Sequence, residues 1–231
     1  MNDTLEVRYK TLHERMEQAA LRADRNPASV RMVAVSKTQP SDLVRKAAAV
    51  GAVVFGENYI QEAREKFNAL VDLSLQWHFI GHLQTNKAKY AVRMFDLIHT
   101  VDSVKLASEL NKQALKSGKV QDILVQVNIS GEPTKTGTTE QAVHGLIERV
   151  LDMPALRVRG LMTMPPFFDA PERVRPYFSA LRAVRERLQA AFGNRVSLQE
   201  LSMGMTGDFE VAIEEGATLV RIGTALFGAR A

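Results

Sequence analysis

Short apolar runs recur eight times along this chain of 231 residues, and a helix-like segment follows almost every one of them. Brief runs rich in Val, Ile and Leu are typical of strands buried on both faces, and such strands belong to parallel sheets. Eight strand–helix units favour a closed (β/α)8 barrel, the TIM-barrel fold of the α/β class, over an open doubly wound sheet. The strands are predicted at residues 33–37, 53–56, 77–81, 97–101, 123–128, 156–162, 198–202 and 219–222.

One additional helix is predicted in front of the first strand, at residues 4–24. Apolar residues recur there at spacings of three or four, which gives a helix with one buried stripe. The stripe consists of Leu5, Tyr9, Leu12, Met16, Ala19 and Ala20. No linker or low-complexity stretch interrupts the pattern, so residues 1–231 are predicted to form a single domain.

The composition is that of an ordinary globular protein, with 45% hydrophobic and 24% charged residues. No segment approaches the ~20 apolar residues of a membrane span, and no secretory signal opens the chain, so we expect a cytoplasmic protein. The absence of cysteine excludes disulfides and thiolate catalysis. A net charge of +4 would attract small anions. Arginines at positions 173, 182, 185 and 187 alternate with Glu172 and Glu186, which favours a solvated helix face over nucleic-acid binding.

A lysine, Lys37, stands at the end of the first apolar run. An amine at the mouth of an apolar barrel loses hydration, which lowers its pKa and makes the neutral, nucleophilic form accessible. That is the condition for forming a Schiff base. Taken alone, the same lysine is better explained as a charged residue that leaves the sheet and reaches water, because strands often end in a charge.

The ends of the last two predicted strands carry glycines and hydroxyls. TIM barrels frequently bind phosphate with these two loops and the N-terminus of a short helix. A lysine for an aldehyde, opposite a phosphate site, indicates pyridoxal 5′-phosphate. The residues concerned are Ser202, Gly204, Thr206 and Gly207 in one loop, and Gly223 and Thr224 in the other. The alternative is that the glycines only make tight turns.

Arg221 projects from the last strand, two residues before Gly223. A cation facing the pyridine nitrogen of the cofactor disfavours protonation of that nitrogen, which makes the ring a weaker electron sink. The alternative for Arg221 is a salt bridge at the barrel mouth, with Glu57 or Asp208.

Five motifs together resemble the pyridoxal phosphate homeostasis protein family. They cover nearly the whole chain in the right order, and their combination is highly specific. The family is a single-domain version of the alanine racemase barrel, the fold type III of pyridoxal phosphate proteins. The motifs are VAVSKT from position 33, FGENYIQE from position 55, WHFIGHLQTNK from position 77, LSMGMTGD from position 201 and VRIGTALFG from position 220.

The resemblance implies a role for each matching residue. Lys37 would hold pyridoxal phosphate covalently as a Schiff base, the internal aldimine. Ser202, Gly223 and Thr224 would surround the phosphate, Arg221 would lie beside the ring nitrogen, and Asn58 and Met205 would line the site. Thr206 occupies a position where serine is expected in many relatives, and its hydroxyl keeps the phosphate contact.

The implied function is to bind the cofactor and to buffer or deliver it, with apo pyridoxal phosphate enzymes as candidate recipients and no established turnover. No catalytic residue is therefore assigned, and a monomer is expected. Racemases of this fold need a second base, a tyrosine from a partner's additional domain, and only Tyr59 lies near the site here. Among the histidines, His82 is the credible acid or base, whereas His78 is predicted to be packed and hydrogen-bonded.

Two enzyme readings remain open on the sequence. One is a weak pyridoxal phosphate racemase or lyase. The other is a Schiff-base aldolase acting on a phosphorylated sugar, since that chemistry also uses a barrel lysine and a phosphate loop. No group of His, Asp and Glu has metal-ligand spacing, so no metal is expected.

Overall fold

A closed barrel of eight parallel strands forms the centre of the computed structural model, which describes residues 4–132 and 134–228. Each strand of the barrel pairs in parallel with the next one along the chain, and the last strand pairs with the first, which closes the barrel. The strands of the barrel are β1 (Arg31–Val35), β2 (Val54–Glu57), β3 (Gln76–Phe79), β4 (Leu97–Val101), β5 (Gln121–Asn128), β7 (Leu156–Met162), β8 (Glu200–Met205) and β9 (Leu219–Ile222). The predicted (β/α)8 architecture is confirmed.

Helices surround the barrel and connect its strands. They are α1 (Leu5–Arg22), α2 (Ser41–Ala49), α3 (Ile60–Ala69), α4 (Ala88–Met94), α5 (Val104–Lys116), α6 (Val143–Leu151), α7 (Arg175–Phe192), α8 (Phe209–Glu214) and α9 (Thr224–Phe227). Short 3-10 turns precede α4 and α7. A two-residue strand, β6 (Thr138–Thr139), pairs with the end of β5 in the segment between β5 and α6.

Alternation along the strands produces two separate apolar cores, because successive side chains of a strand point to opposite faces. Outward residues such as Ala34 and Phe55 pack with the helices in one large cluster. Inward residues form a small second cluster inside the barrel, made of Val33, Val54, Leu97, Leu124, Met162 and Leu219. The barrel is therefore filled with side chains below its mouth, and a ligand site must lie at its rim.

The additional N-terminal helix α1 packs against the last strand–helix units of the chain. Its buried residues Leu12, Met16, Ala19 and Ala20 match the predicted stripe. Ion pairs fix the same contact, with Arg15 2.9 Å from Glu210 and Arg22 2.8 Å from Glu214. The start of the chain is thus fastened to α8, next to the loop that follows β8.

Ion pairs also engage the arginines of α7. Arg187 lies 2.5 Å from Glu140, and Arg182 lies 3.1 Å from Glu215. This pairing accords with the solvated helix face expected from the sequence. None of the helices in the described part of the chain is long and apolar enough to cross a membrane.

The ends of β1 and β8 are among those that differ from the sequence prediction, and both lie at the barrel mouth. The first strand ends at Val35, so Lys37 lies in the turn that follows it. Strand β8 continues to Met205, three residues beyond its predicted end. Its register against β9 shifts between Ser202 and Met205, which sequence patterning does not reveal.

Gly204 is the residue that permits this extension of β8. Its φ is +89°, and a Cβ there would lie 2.5 Å from the Cβ of Ala212 and 3.1 Å from the Cα of Phe209. We expect Gly204→Ala to lower the free energy of unfolding by roughly 3 kcal/mol, through backbone strain and crowding together. Urea denaturation followed by circular dichroism measures the change.

Gly145 provides the matched control for that substitution. It is exposed in helix α6, and nothing lies within 4 Å of a Cβ built there. Gly145→Ala is expected to stabilise the protein by about 0.5–1 kcal/mol, because alanine is the better helix residue. Equal effects at the two glycines would contradict the close packing of α8 on β8.

Candidate functional site

A cavity of about 310 Å³ opens at the carboxyl ends of the strands. It contains seven of the eight residues that the sequence assigned to cofactor binding. They come from the ends of β1, β2, β8 and β9 and are Lys37, Asn58, Met205, Thr206, Arg221, Gly223 and Thr224. The eighth, Ser202, does not line this cavity.

The turn that carries Lys37 is held from outside the barrel by a buried lysine on α3. Lys66 Nζ donates to the carbonyl oxygen of Ser36, and it lies 2.7 Å from Glu57 Oε1 and 2.6 Å from Glu62 Oε1. Ser36 Oγ donates to the same Glu57 oxygen at 2.6 Å. These contacts fasten the residue immediately before Lys37.

The residue after Lys37 is fixed by the same cluster. Thr38 has a φ of +65°, a left-handed conformation that costs a threonine about 1–3 kcal/mol. Its backbone N–H donates to Glu62 Oε1, an oxygen that also accepts from Lys66. Lys37 is therefore placed at the cavity by constraints on both of its neighbours.

Burial dominates the electrostatics of this cluster. Desolvation raises the pKa of Glu57, and the nearby ammonium of Lys66 opposes that rise. Glu57 Oε2 is buried and has no hydrogen-bond partner in the described part of the protein. The carboxylate therefore depends on Lys66 to remain charged.

The loops after β8 and β9 form one wall of the cavity. The backbone N–H of Ala225 approaches Thr206 Oγ1 at 3.5 Å, which joins the two loops. Asp208 Oδ1 accepts from the backbone N–H of Met205 at 2.6 Å and closes the first loop into a tight turn. Burial raises the pKa of Asp208. Hydroxyls of Thr206 and Thr224 thus stand beside glycine backbone at one end of the cavity.

Arg221 rises from inside the barrel to the floor of the cavity. Its Nη1 donates to Ser202 Oγ at 2.7 Å, and its Nη2 donates to the carbonyl oxygen of Thr163 at 3.0 Å. Burial lowers the pKa of Arg221 to about 10, so the guanidinium is charged at neutral pH. The salt bridge considered from the sequence does not form with Glu57, which pairs with Lys66 instead.

Ser202 is the one sequence-assigned residue that lies elsewhere. It is fully buried one level below the cavity, and its hydroxyl contacts both Arg221 and His99. A serine in this position supports Arg221 at the floor of the site. His78 is buried and hydrogen-bonded to His99, as the sequence predicted.

An apolar wall completes the cavity, and the sequence interpretation missed it. The wall consists of Val35, Ile80, Met164, Phe167 and Phe168. The last three belong to the segment after β7, to which the sequence analysis assigned no role. Two consecutive phenylalanines after the carboxyl end of a barrel strand were the available signal, since loops at that end form ligand sites.

A second cleft, of about 660 Å³, adjoins the first and shares Asn58 with it. Tyr59 and His82, the two side chains considered as acids or bases, both line this second cleft. Within residues 4–132 and 134–228, no histidine or tyrosine lines the cavity that contains Lys37. No group of three His, Asp or Glu suited to a metal occurs among the same residues.

The buried cluster beside Lys37 gives a stability prediction. Lys66→Met leaves the carboxylate of Glu57 buried without its cation, so we expect a loss of roughly 3–5 kcal/mol in the free energy of unfolding at pH 7.5. The exposed pair Lys10–Glu14, at 3.9 Å, is the control, and Lys10→Met should change stability by less than about 1 kcal/mol.

The pH dependence of this loss follows from the same pKa shift. Without Lys66 the pKa of Glu57 rises further above its unfolded value, so the native variant takes up a proton more readily than its unfolded chain does as the pH falls. The stability deficit of the variant should therefore shrink from pH 8 to pH 5 in urea titrations. A deficit that grows on acidification would contradict a desolvated carboxylate at this position.

The sequence matches the model of a known protein family. The model of the alanine racemase N-terminal domain matches residues 7–231. Alanine racemase from Clostridium difficile has the same fold, with a TM-score of 0.75 at 14% identity over 99% of this chain and 57% of the racemase. That likeness establishes the barrel alone.

Relatives of higher identity are more specific. The pyridoxal phosphate homeostasis protein of Aquifex aeolicus is 48% identical over 223 residues, 96% of this chain and 97% of its own. The Pseudomonas aeruginosa protein of that name is 45% identical, over 94% of this chain and 91% of its own. PipY of Synechococcus elongatus, solved with pyridoxal phosphate bound, superposes with a TM-score of 0.83 at 38% identity, over 94% and 99%. The chain belongs to the pyridoxal phosphate homeostasis protein family.

Proposed function

We propose that this protein binds pyridoxal 5′-phosphate in the cavity at the barrel mouth, linked covalently to Lys37, and that it stores and delivers the cofactor without turnover. The observation that carries the proposal is the convergence of Lys37, Arg221 and the two threonine-bearing loops on one cavity. A relative with 38% identity, PipY, has been solved with this cofactor bound.

The residues of the cavity fit the cofactor in chemical type. Pyridoxal phosphate supplies an aldehyde that condenses with an amine and a pyridine ring that withdraws electrons. Asn58 Oδ1 is buried and has no hydrogen-bond partner in the described structure, so the amide is a polar group available to a ligand. The apolar wall with Ile80 and Phe168 suits the face of an aromatic ring.

The phosphate group binds at the wall formed by the loops after β8 and β9. Hydroxyls of Thr206 and Thr224 and the backbone N–H groups near Gly207 and Gly223 can donate to phosphate oxygens. These groups come from two strands that are adjacent in the barrel. Their position accords with the usual phosphate site of TIM barrels, after the last two strands.

Arg221 suits a protein that holds the cofactor. A fixed cation beside the ring nitrogen disfavours protonation there, and an unprotonated ring withdraws electrons less strongly. The side chain is held by Ser202 and Thr163 from below and cannot easily swing away. Retention of the cofactor is therefore favoured over chemistry that needs a strong electron sink.

The lining of the cavity also favours a carrier over a racemase. A racemase needs a base on each face of the ring, and the described lining offers Lys37 but no histidine or tyrosine opposite it. The carboxyl group of Asp208 lines the cavity but is engaged by the backbone of Met205. Tyr59 and His82 open into the adjoining cleft.

We infer that residues 1–231 act as one cofactor-binding domain, as a monomer in the cytoplasm, and that the recipients are apo enzymes that use pyridoxal phosphate. No nucleic acid, membrane or metal is part of this function. The names of the relatives support the role in pyridoxal phosphate homeostasis.

The covalent link can be tested directly. Purified protein incubated with pyridoxal phosphate should turn yellow, and borohydride reduction should leave the added mass on the peptide that contains Lys37, because an amine condensed with the aldehyde is fixed by reduction. Lys37→Ala should abolish that modified peptide, whereas Lys89→Ala, on the exposed face of α4, should leave it intact. Mass spectrometry of the digest gives the readout.

Two results would contradict the proposal. A colourless protein that traps a sugar phosphate on Lys37 would favour the aldolase reading. Appreciable incorporation of solvent deuterium at the α-carbon of amino acids by the loaded protein would favour a racemase.

The phosphate wall gives a separate prediction. Thr206→Val and Thr224→Val each remove one hydroxyl donor at nearly constant volume, so each should weaken pyridoxal phosphate binding roughly ten- to a hundredfold. Equilibrium titration followed by absorbance measures the affinity. Pyridoxal without the phosphate should bind both variants as it binds the wild type, and equal losses for the two ligands would argue against this wall as the phosphate site.

A further inference from the structure

Four polar side chains form a hydrogen-bonded column inside the barrel. His78 Nδ1 lies 3.0 Å from His99 Nε2, His99 Nδ1 lies 2.9 Å from Ser202 Oγ, and Arg221 Nη1 lies 2.7 Å from the same hydroxyl. Each of the four residues is at most 4% exposed. They come from β3, β4, β8 and β9, so the column crosses the interior of the barrel.

The chemistry of the donors fixes the direction of every hydrogen in this column. A guanidinium has donors only, so Ser202 Oγ must accept from Arg221. A hydroxyl can accept two hydrogen bonds, but the only other partner of Ser202 Oγ in the described part of the chain is His99 Nδ1. The buried hydroxyl hydrogen is therefore satisfied only if Ser202 donates it to His99 Nδ1. His99 must carry its own proton on Nε2 and donate it to His78 Nδ1. His78 in turn carries its proton on Nε2.

The environment keeps both histidines neutral, which this arrangement requires. Burial lowers the pKa of His78 to about 3, with a further contribution from Arg31. Burial also lowers the pKa of His99 well below its usual value, and His78, Arg221 and Arg31 act in the same direction. A doubly protonated imidazole would reverse one of the hydrogen bonds.

The lower end of the column reaches the opposite mouth of the barrel. His78 lines a cavity of about 230 Å³ there, together with charged side chains from five neighbouring segments. Those charges are largely paired: Arg31 lies 2.6 Å from Glu200, and Arg159 lies 3.8 Å from Asp122. The charged groups that face His78 in this cavity are Arg31, Asp96, Asp122, Arg159 and Glu200.

We propose that Ser202, His99 and His78 are positioning residues, which hold Arg221 through a column with a single hydrogen-bond direction and so orient its remaining N–H groups toward the cofactor ring. The proposal rests on the proposed function for its last step. The direction of the column stands on the protein alone.

The direction of the column can be measured without any substitution or cofactor. In nitrogen-15-labelled protein, two-bond imidazole correlation spectra distinguish the two neutral tautomers. We expect His78 and His99 both as the Nε2–H form, and unchanged from pH 8 to pH 5.5. A population of Nδ1–H or of doubly protonated imidazole at either histidine in this range would overturn the proposal.

The positioning role is tested with Ser202→Ala, which removes one of the two anchors of Arg221 and the donor to His99. The absorption band of bound pyridoxal phosphate should shift, its pH profile should change, and cofactor affinity should fall about tenfold. Thr100→Val is the matched control. It deletes a different buried hydroxyl, that of Thr100 on β4, which donates to the carbonyl oxygen of Gly81 at 2.6 Å and lies outside the column.

The outcomes separate this proposal from the proposed function. A band, pH profile and affinity that Ser202→Ala and Thr100→Val alter alike would overturn the positioning role. Failure of the wild type to bind pyridoxal phosphate would overturn the proposed function, and the tautomers of the cofactor-free protein would still decide the direction of the column.

Discussion

The pairing of the first strand with the last is the constraint on which the site depends. β1 and β9 run in parallel with Val33 opposite Arg221 and Ala34 opposite Ile222. Continuing that register places the turn with Lys37 beside the loop with Gly223 and Thr224. Lys37 and Thr224 are nearly the whole chain apart in sequence, and only closure of the barrel makes them neighbours.

Two kinds of buried polar cluster lie near the pairing of β1 with β9. Outside the barrel, the cluster of Lys66, Glu57 and Glu62 is charged, and it holds a strained turn in place by strong, short contacts. Inside the barrel, the column is neutral apart from Arg221. Its hydrogen bonds all run in one direction, and this direction, more than the strength of the bonds, is what fixes the orientation of Arg221. A half-satisfied buried network destabilises a core, so both devices require nearly complete pairing.

The eight-unit pattern was enough to predict the fold, because near-continuous apolar strands and intervening helices leave few alternatives. The strand ends and the resemblance to the family together identified seven residues that the structure brings to one cavity. Ser202 does not line that cavity, because β8 continues to Met205 and its register against β9 shifts between Ser202 and Met205. His99 escaped notice because an inward-facing histidine within an apolar strand gives no pattern of its own. The apolar wall of Met164, Phe167 and Phe168 lies on an irregular loop, where periodicity carries no information.

The fastening of α1 to α8 has a consequence for how the protein assembles. Contacts between distant parts of a chain must overcome a large loop-closure entropy before they contribute stability, so they form late. Here β1 pairs with β9, and α1 contacts α8, so both contacts join the two ends of the polypeptide. The ligand cavity is therefore among the last features to exist. A molecule that touched Lys37 on one side and Thr224 on the other would bridge β1 and β9, and it would stabilise the closed barrel by a free energy that rises with the logarithm of its concentration above the dissociation constant.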